Sequence, residues 1–351
     1  MTARRRGAAA IVAALFALGA AACGGGGDNT PAGDTTTSAA SVPTTTGRGS
    51  VPSTTAHPAS SSTVQAVDAP WRLPAPVARE VVVASGNEFT VVGGLDATKF
   101  STNAVVTVDP TTGASRSAGT LAEAVHDAAG ARNGDRILVF GGGGPSENGT
   151  ADVQAVAADG TTTKVGALPG PRSDHVAARV GDRIYVFSGY DGSAIVPDIV
   201  STTDGTTFAK AGDLSVPVRY AAIAVVGRAV YLFGGVSDSA RGIDTPAIQK
   251  FDPATGKVET VAPLPTSLSH ASAVVLGGQV YLLGGYVDNT RLSDQILRFD
   301  PATGSVTAAG TLPAPVSDAA AVVVNGRGYL VGGQGTDRAP RATVTVVTSS
   351  R

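Results

Sequence analysis

The chain has 351 residues, of which 45 are glycine and one is cysteine, and aromatic residues make up only 5%. Its 26 basic and 28 acidic residues leave a formal charge of −2. With no basic stripe, this argues against a nucleic-acid partner, since phosphate binding draws on clustered Lys and Arg. A single cysteine rules out an intramolecular disulfide.

Residues 1–23 read as a targeting segment. Arg4, Arg5 and Arg6 form a positive start, and Ala8–Ala22 is a short apolar run ending in small residues. That run is too short to span a bilayer and suits a secretory signal. Cys23 follows directly. The arrangement resembles a bacterial, actinobacterial-type lipoprotein signal, which implies lipidation of Cys23 and an extracytoplasmic, membrane-anchored protein; plain secretion is the alternative. Residues 24–62 are Gly, Thr, Ser, Pro and Ala with almost no large apolar side chain. They predict a disordered linker, because nothing there offsets the entropy of ordering.

Residues 63–351 carry 22 basic and 26 acidic residues, a formal charge of about −4. A repeat organises this stretch. Its clearest copy, residues 270–315, holds four short β-like runs: Ala273–Leu276, Gln279–Leu283, Gln295–Phe299 and Ser305–Ala308. A Gly-Gly pair ends the second run, at Gly93-Gly94, Gly141-Gly142, Gly234-Gly235, Gly284-Gly285 and Gly332-Gly333, with Ser188-Gly189 as an altered copy. The steps between first positions are 48, 47, 46, 50 and 48 residues. The second runs are apolar on both alternating sides, which suits a strand packed on both faces. Asp109–Gly113, Asp252–Gly256 and Asp300–Gly304 share an Asp-Pro-X-Thr-Gly turn before the fourth run, shortened to Asp159-Gly160 and Asp204-Gly205 elsewhere; both are hairpin signals.

The paired glycines at this period resemble the kelch repeat, each copy of which is one blade of a β-propeller. The resemblance covers residues 63–351, and implies an all-β, six-bladed kelch-type propeller. The last unit supplies only three strands, ending at Thr343–Val347. Residues 63–78 match the fourth-run pattern of the fifth unit, sharing Leu-Pro-Ala-Pro-Val at 73–77 and 312–316. Val64–Val67 is therefore expected as the outer strand of the C-terminal blade, closing the ring and removing exposed edges.

Aligned on the glycines, the units place Arg79, Asp127, Asp174, Tyr220, His270 and Asp318 fourteen positions earlier. In a propeller the innermost strand starts there, at one mouth of the central channel. The loops after the glycines carry Asp96, Glu147, Asp191, Asp238, Asp244, Asp288, Asp294 and Asp337 and return to the same face. A ring of polar groups around a shared mouth is the candidate ligand site. There, Arg79 and His270 would orient an anion or sugar hydroxyls, the three aspartates would accept hydroxyl protons or hold a cation, and Tyr220 would stack on a sugar face. Solvated strand starts are the plainer explanation of the same polarity.

No metal or cofactor is expected. His126, His175 and His270 come from different units at unequal offsets, whereas zinc needs its ligands about 2 Å from one point. The Gly-rich 141–149 stretch leads into no helix and so forms no phosphate cradle. Galactose oxidase carries similar repeats, but its copper site needs a Tyr–Cys crosslink, and Cys23 lies outside the repeats. The expected function is a membrane-tethered, monomeric binding propeller recognising a glycan, peptide or envelope protein. The alternative is a sugar-processing enzyme, by analogy with kelch propellers that isomerise sialic acid, using mouth carboxylates and His270 for proton transfer.

Overall fold

The computed structural model describes residues 64–144 and 149–350. Cys23, the 24–62 stretch and Glu147 lie outside the described residues. Among the described residues every named element is a strand, and no helix is long and apolar enough to cross a membrane.

Six four-stranded antiparallel sheets make up most of the described domain, beside a two-stranded sheet (Val236–Asp238 with Ile243–Asp244) and a three-stranded one (Leu268–Ser269, Tyr286–Val287 and Arg291–Leu292). Sheet one holds Val81–Ser85, Glu88–Val92, Ala104–Val108 and Ser115–Thr120. Sheet five holds Ser272–Leu276, Gln279–Leu283, Gln295–Phe299 and Val306–Thr311. Sheets two, three and four repeat this consecutive order over residues 129–263. Sheet six takes three strands from residues 320–349 and its fourth, Val64–Asp68, from the other end of the described chain. That strand pairs from Val64 opposite Ser349 to Asp68 opposite Thr345.

Local chemistry explains the elements. The first two strands of each sheet are joined by two residues, with a left-handed residue at Gly86, Gly134, Gly181, Gly227, Gly277 or Asn325, as tight hairpins require. Each second strand buries its last four residues, as in Val280, Tyr281, Leu282 and Leu283. The third and fourth strands of sheets one to five are offset by a bulge, for example at Ile296/Leu297. The pairing of Val64–Asp68 in sheet six runs without one.

The core lies in the seams between sheets. Phe89 and Val91 of sheet one pack with Tyr329 and Val331 of sheet six. Phe187 and Ile199 of sheet three pack with Leu232 and Phe251 of sheet four. Seams one–two, two–three, four–five and five–six are built alike. The paired glycines serve these seams. A Cβ on Gly93 would stand 2.6 Å from the Val125 carbonyl oxygen of the next sheet, and one on Gly332 2.5 Å from that of Val77. The following glycine donates its N–H to the same carbonyl, Gly94 to Val125 at 2.8 Å and Gly333 to Val77 at 2.9 Å. A residue without Cβ makes that approach easiest. At the altered copy, the Ser188 hydroxyl accepts the Val218 N–H at 2.9 Å and donates to the Val196 carbonyl at 2.7 Å.

Candidate functional site

The six aligned residues meet at one place. Each donates its backbone N–H to the carbonyl of the previous one: Asp127 to Arg79 (3.0 Å), Asp174 to Asp127 (2.9 Å), Tyr220 to Asp174 (2.9 Å), His270 to Tyr220 (2.9 Å) and Asp318 to His270 (3.1 Å). Arg79 donates to Asp318 at 2.8 Å, and the cycle is complete. The geometry requires a left-handed backbone at every member, with φ between 52° and 58°. Asp and His tolerate that region better than most residues, whereas Arg and Tyr are uncommon in it.

The side chains form one network above this ring. Arg79 donates from one terminal nitrogen to Asp127 at 2.8 Å and to the Tyr220 hydroxyl at 3.3 Å, and its Nε lies 3.4 Å from Asp318. His270 Nδ1 is 2.7 Å from Asp318 Oδ1, and the Ser317 hydroxyl donates to Asp318 Oδ2 at 2.7 Å. Arg219 pairs with Asp174 and also donates to the Tyr220 hydroxyl, both at 2.8 Å. The Tyr220 ring stacks on His270 at 3.8 Å, with the Arg219 guanidinium over it at 4.6 Å. Tyr220 thus spends its ring on its neighbours, and the aromatic ring at the edge of the site is Tyr286, which meets His270 edge-on.

At the ring is a cavity of about 110 Å³ lined by the six residues and by Glu80, His175, Val176 and four alanines. Beside it, a second cavity of about 210 Å³ shares Arg79, His270 and Asp318 and adds Tyr286, Asn289, Gln334 and Arg338.

Burial divides the carboxylates. Burial pushes Asp318 up, but His270 and then Arg79 outweigh it and hold the carboxyl down at about 2. Burial first, and then the charge of Asp127, push Asp174 up to about 8 against the pull of Arg219. Burial also lifts Glu80 to about 8; its Oε1 accepts the Ala320 N–H at 3.2 Å, while its buried Oε2 has no protein partner. Burial works against the charge of Arg79, but Asp127 and Asp318 more than offset it and keep the guanidinium protonated. His175 is driven down to about 3 by burial and then by Arg172, and neither ring nitrogen has a protein partner.

Arg79, Asp127, Asp174, Tyr220, His270 and Asp318 are therefore all brought together. The loop aspartates are not. Asp96, Asp191, Asp238 and Asp337 each accept backbone N–H groups of their own loops. Asp244 is tied to the Ser269 hydroxyl at 3.0 Å, and Asp288 to that of Ser267 at 2.9 Å. His126 bonds Ser101 at 2.8 Å. Among the described residues no group of three or more His, Cys, Asp or Glu side chains is placed to hold a metal ion. Sequence reasoning missed Glu80, Arg219, Tyr286 and Arg338. The signal for Glu80 was available: at its offset four units carry alanine (Ala128, Ala221, Ala271, Ala319), and only Glu80 and His175 break the pattern.

Comparison with known proteins agrees with this architecture. Residues 267–313 match the Kelch motif, the sequence of one propeller blade. The solved structure titled "Structure of YjhT" superposes with a TM-score of 0.68, covering 80% of this chain and 99% of that one at 15% identity. No curated protein matches the sequence. The chain thus carries a Kelch motif within an all-β fold that it shares with that structure.

Proposed function

We propose that this chain is a six-bladed propeller, closed by its N-terminal strand and tethered outside the cytoplasm through a lipidated Cys23, that binds a glycan, peptide or envelope protein at the mouth ringed by Arg79, Asp127, Asp174, Tyr220, His270 and Asp318. One observation carries the reading. Of twelve non-glycine residues with positive φ among those described, six are the ring, although 28 glycines fill other such positions. Glycine would meet the backbone requirement without strain, so the retained side chains point to a role for the side chains themselves. The 210 Å³ cavity beside the ring supplies Tyr286, Asn289 and Arg338 as further contacts.

The test starts from a ligand found by glycan array or by crosslinking in the native envelope. Asp174→Ala and His270→Ala should weaken binding by about tenfold to a hundredfold, the usual loss with a charge-assisted hydrogen bond. Asp109→Ala and Asp300→Ala, at turns on the opposite face, should leave it alone. Loss through the turn variants with retention in the mouth variants would put the site on the wrong face.

The second reading, a sugar-processing enzyme, is favoured by the split carboxylates. A neutral Glu80 or Asp174 beside ionised Asp318 is the arrangement that separates acid from base. Turnover of a sugar by the wild type, abolished by Asp174→Asn or Glu80→Gln, would replace binding with catalysis.

A further inference from the structure

A further cavity lies away from the mouth. It measures about 300 Å³ and sits where sheets five and six meet the segment after Val64–Asp68, with the loop from Gln334 to Arg341 between it and the cavity that Arg338 lines. Ala314, Pro315, Val316 and Leu330 supply its apolar lining, and Asp68, Arg72, Arg341 and three threonines its polar lining. A concave apolar floor with a few convergent polar groups is the usual form of a small-molecule site, and this volume reaches the lower end of the usual range, about 300 Å³.

Both guanidinium groups stand on fixed backbone. The chain on either side of Arg72 is held by Ala69 N–H to the Val344 carbonyl at 2.8 Å and Leu73 N–H to the Ala342 carbonyl at 2.9 Å. Arg341 donates its N–H to Gly333 and accepts that of Val77, both at 2.9 Å. Its side chain lies against Gly335, where any Cβ would run into the guanidinium. Arg341 Nε is buried without a protein partner, and one terminal nitrogen reaches Asp337 at 2.9 Å. Arg72 is committed only weakly, 3.7 Å from Asp68 and more than half exposed. Asp68 itself takes the Thr345 hydroxyl at 2.9 Å. Asp337 thus takes one terminal nitrogen of Arg341 and Asp68 stands loosely by Arg72, which leaves Arg341 Nε and most of the Arg72 guanidinium uncommitted.

We propose that this rim pocket is a second binding site, for a small organic carboxylate with an apolar body, the acid group held by Arg72 and Arg341 and the body lying on Pro315 and Leu330. Guanidinium is the cation whose planar fork matches a carboxylate.

The experiment titrates the intact protein with N-acetyl-leucine, its neutral amide and inorganic phosphate, followed by calorimetry. The acid should bind, with the amide and phosphate at least about tenfold weaker, as expected for losing a charge-assisted contact or the apolar one. Arg341→Gln and Arg72→Gln should each weaken the acid by about tenfold. Gly335→Ala should do the same by displacing Arg341. Asp174→Asn at the mouth should leave this binding unchanged, which separates the rim site from the mouth site. No binding of the acid at millimolar concentration, equal binding of acid and amide, equal binding of phosphate, or loss through Asp174→Asn with retention in both arginine variants would each overturn the proposal.

Discussion

Glu80→Gln should make the stability of the propeller less sensitive to alkali. The carboxyl is buried in the wall of the mouth cavity, between sheets one and six, with one oxygen on the Ala320 N–H and the other without a protein partner. Burial, then the charges of Asp318 and Asp127, lift it from an ordinary 4.5 to about 8. The folded state therefore holds this proton more tightly than the unfolded chain does. The stabilisation is fully present below the ordinary value and is lost as pH rises through about 8. Holding the proton from 4.5 up to about 8 sets a ceiling of about 5 kcal/mol on its contribution. Relaxation and water entry leave about half of that at an effective interior dielectric near 20. For a domain of this size, about 2 °C in Tm per kcal/mol gives a relative fall of about 5 °C. Gln keeps the shape and the acceptor for Ala320 and carries no proton to lose. Thermal unfolding of both proteins between about pH 5 and pH 9 is the assay, a window that spans both carboxyl values. Asp174 shifts both curves alike and cancels in the difference; Asp318, held down at about 2, titrates below the window. The wild type should lose Tm relative to Glu80→Gln as pH rises. Parallel curves would refute the reasoning.

Removing the N-terminal strand should prevent folding. A chain beginning at Arg79 loses Val64, Ala69, Leu73 and Val77, all buried, and at about 1.5–3 kcal/mol for each large apolar side chain the deficit approaches the whole stability of a domain, about 5–15 kcal/mol. A chain beginning at Ser62 should melt like the wild type, and equal melting of the two truncations would show that the strand is dispensable. Cys23→Ala should move the protein from the membrane to the soluble fraction of its host, since lipid chains anchor through about 0.8 kcal/mol per buried CH₂; a wild type already soluble there would rule out the tether.

Much of the architecture was legible because the repeat is its own control. The glycine pairs mark where one sheet's backbone meets the next, and a Cβ at the first position meets a neighbouring carbonyl in five of the six copies, with Ser188 the exception, so the period survives wherever side chains diverge. The shared Leu-Pro-Ala-Pro-Val located the first strand for the same reason. The fourth strands were less legible. In sheet five that strand runs Val306–Thr311, later than the apolar pattern indicated, because it is exposed at the edge, rich in Ala and Gly, and offset by the bulge at Ile296/Leu297. The mouth residues could be placed by their offset, but their partners could not. Nothing local distinguishes Arg219, which binds Asp174, from Arg228, which lies away from the mouth. The loop aspartates misled because an Asp capping its own turn and an Asp facing a ligand have the same local sequence.

The left-handed ring bears on whether the mouth network is more than structural. Ion pairs alone do not decide it, since Arg79, Asp127, Asp318 and His270 satisfy one another without any ligand. Each non-glycine residue in this region costs about 1 kcal/mol or more, so six represent about 6 kcal/mol of strain that glycine would remove. Asp and His explain part of the pattern by tolerating the conformation. Arg79 and Tyr220 are not explained that way, and they are the two that tie the network across the channel, through the 3.3 Å contact between them. Burial makes the argument sharper. Glu80 and His175 replace alanine at the ring with groups whose charged forms are disfavoured there, and each leaves at least one buried polar atom without a protein partner. A purely structural ring would have alanine there, as the other four units do. The asymmetry therefore lies in side chains that line the cavity, which is where a ligand would read it.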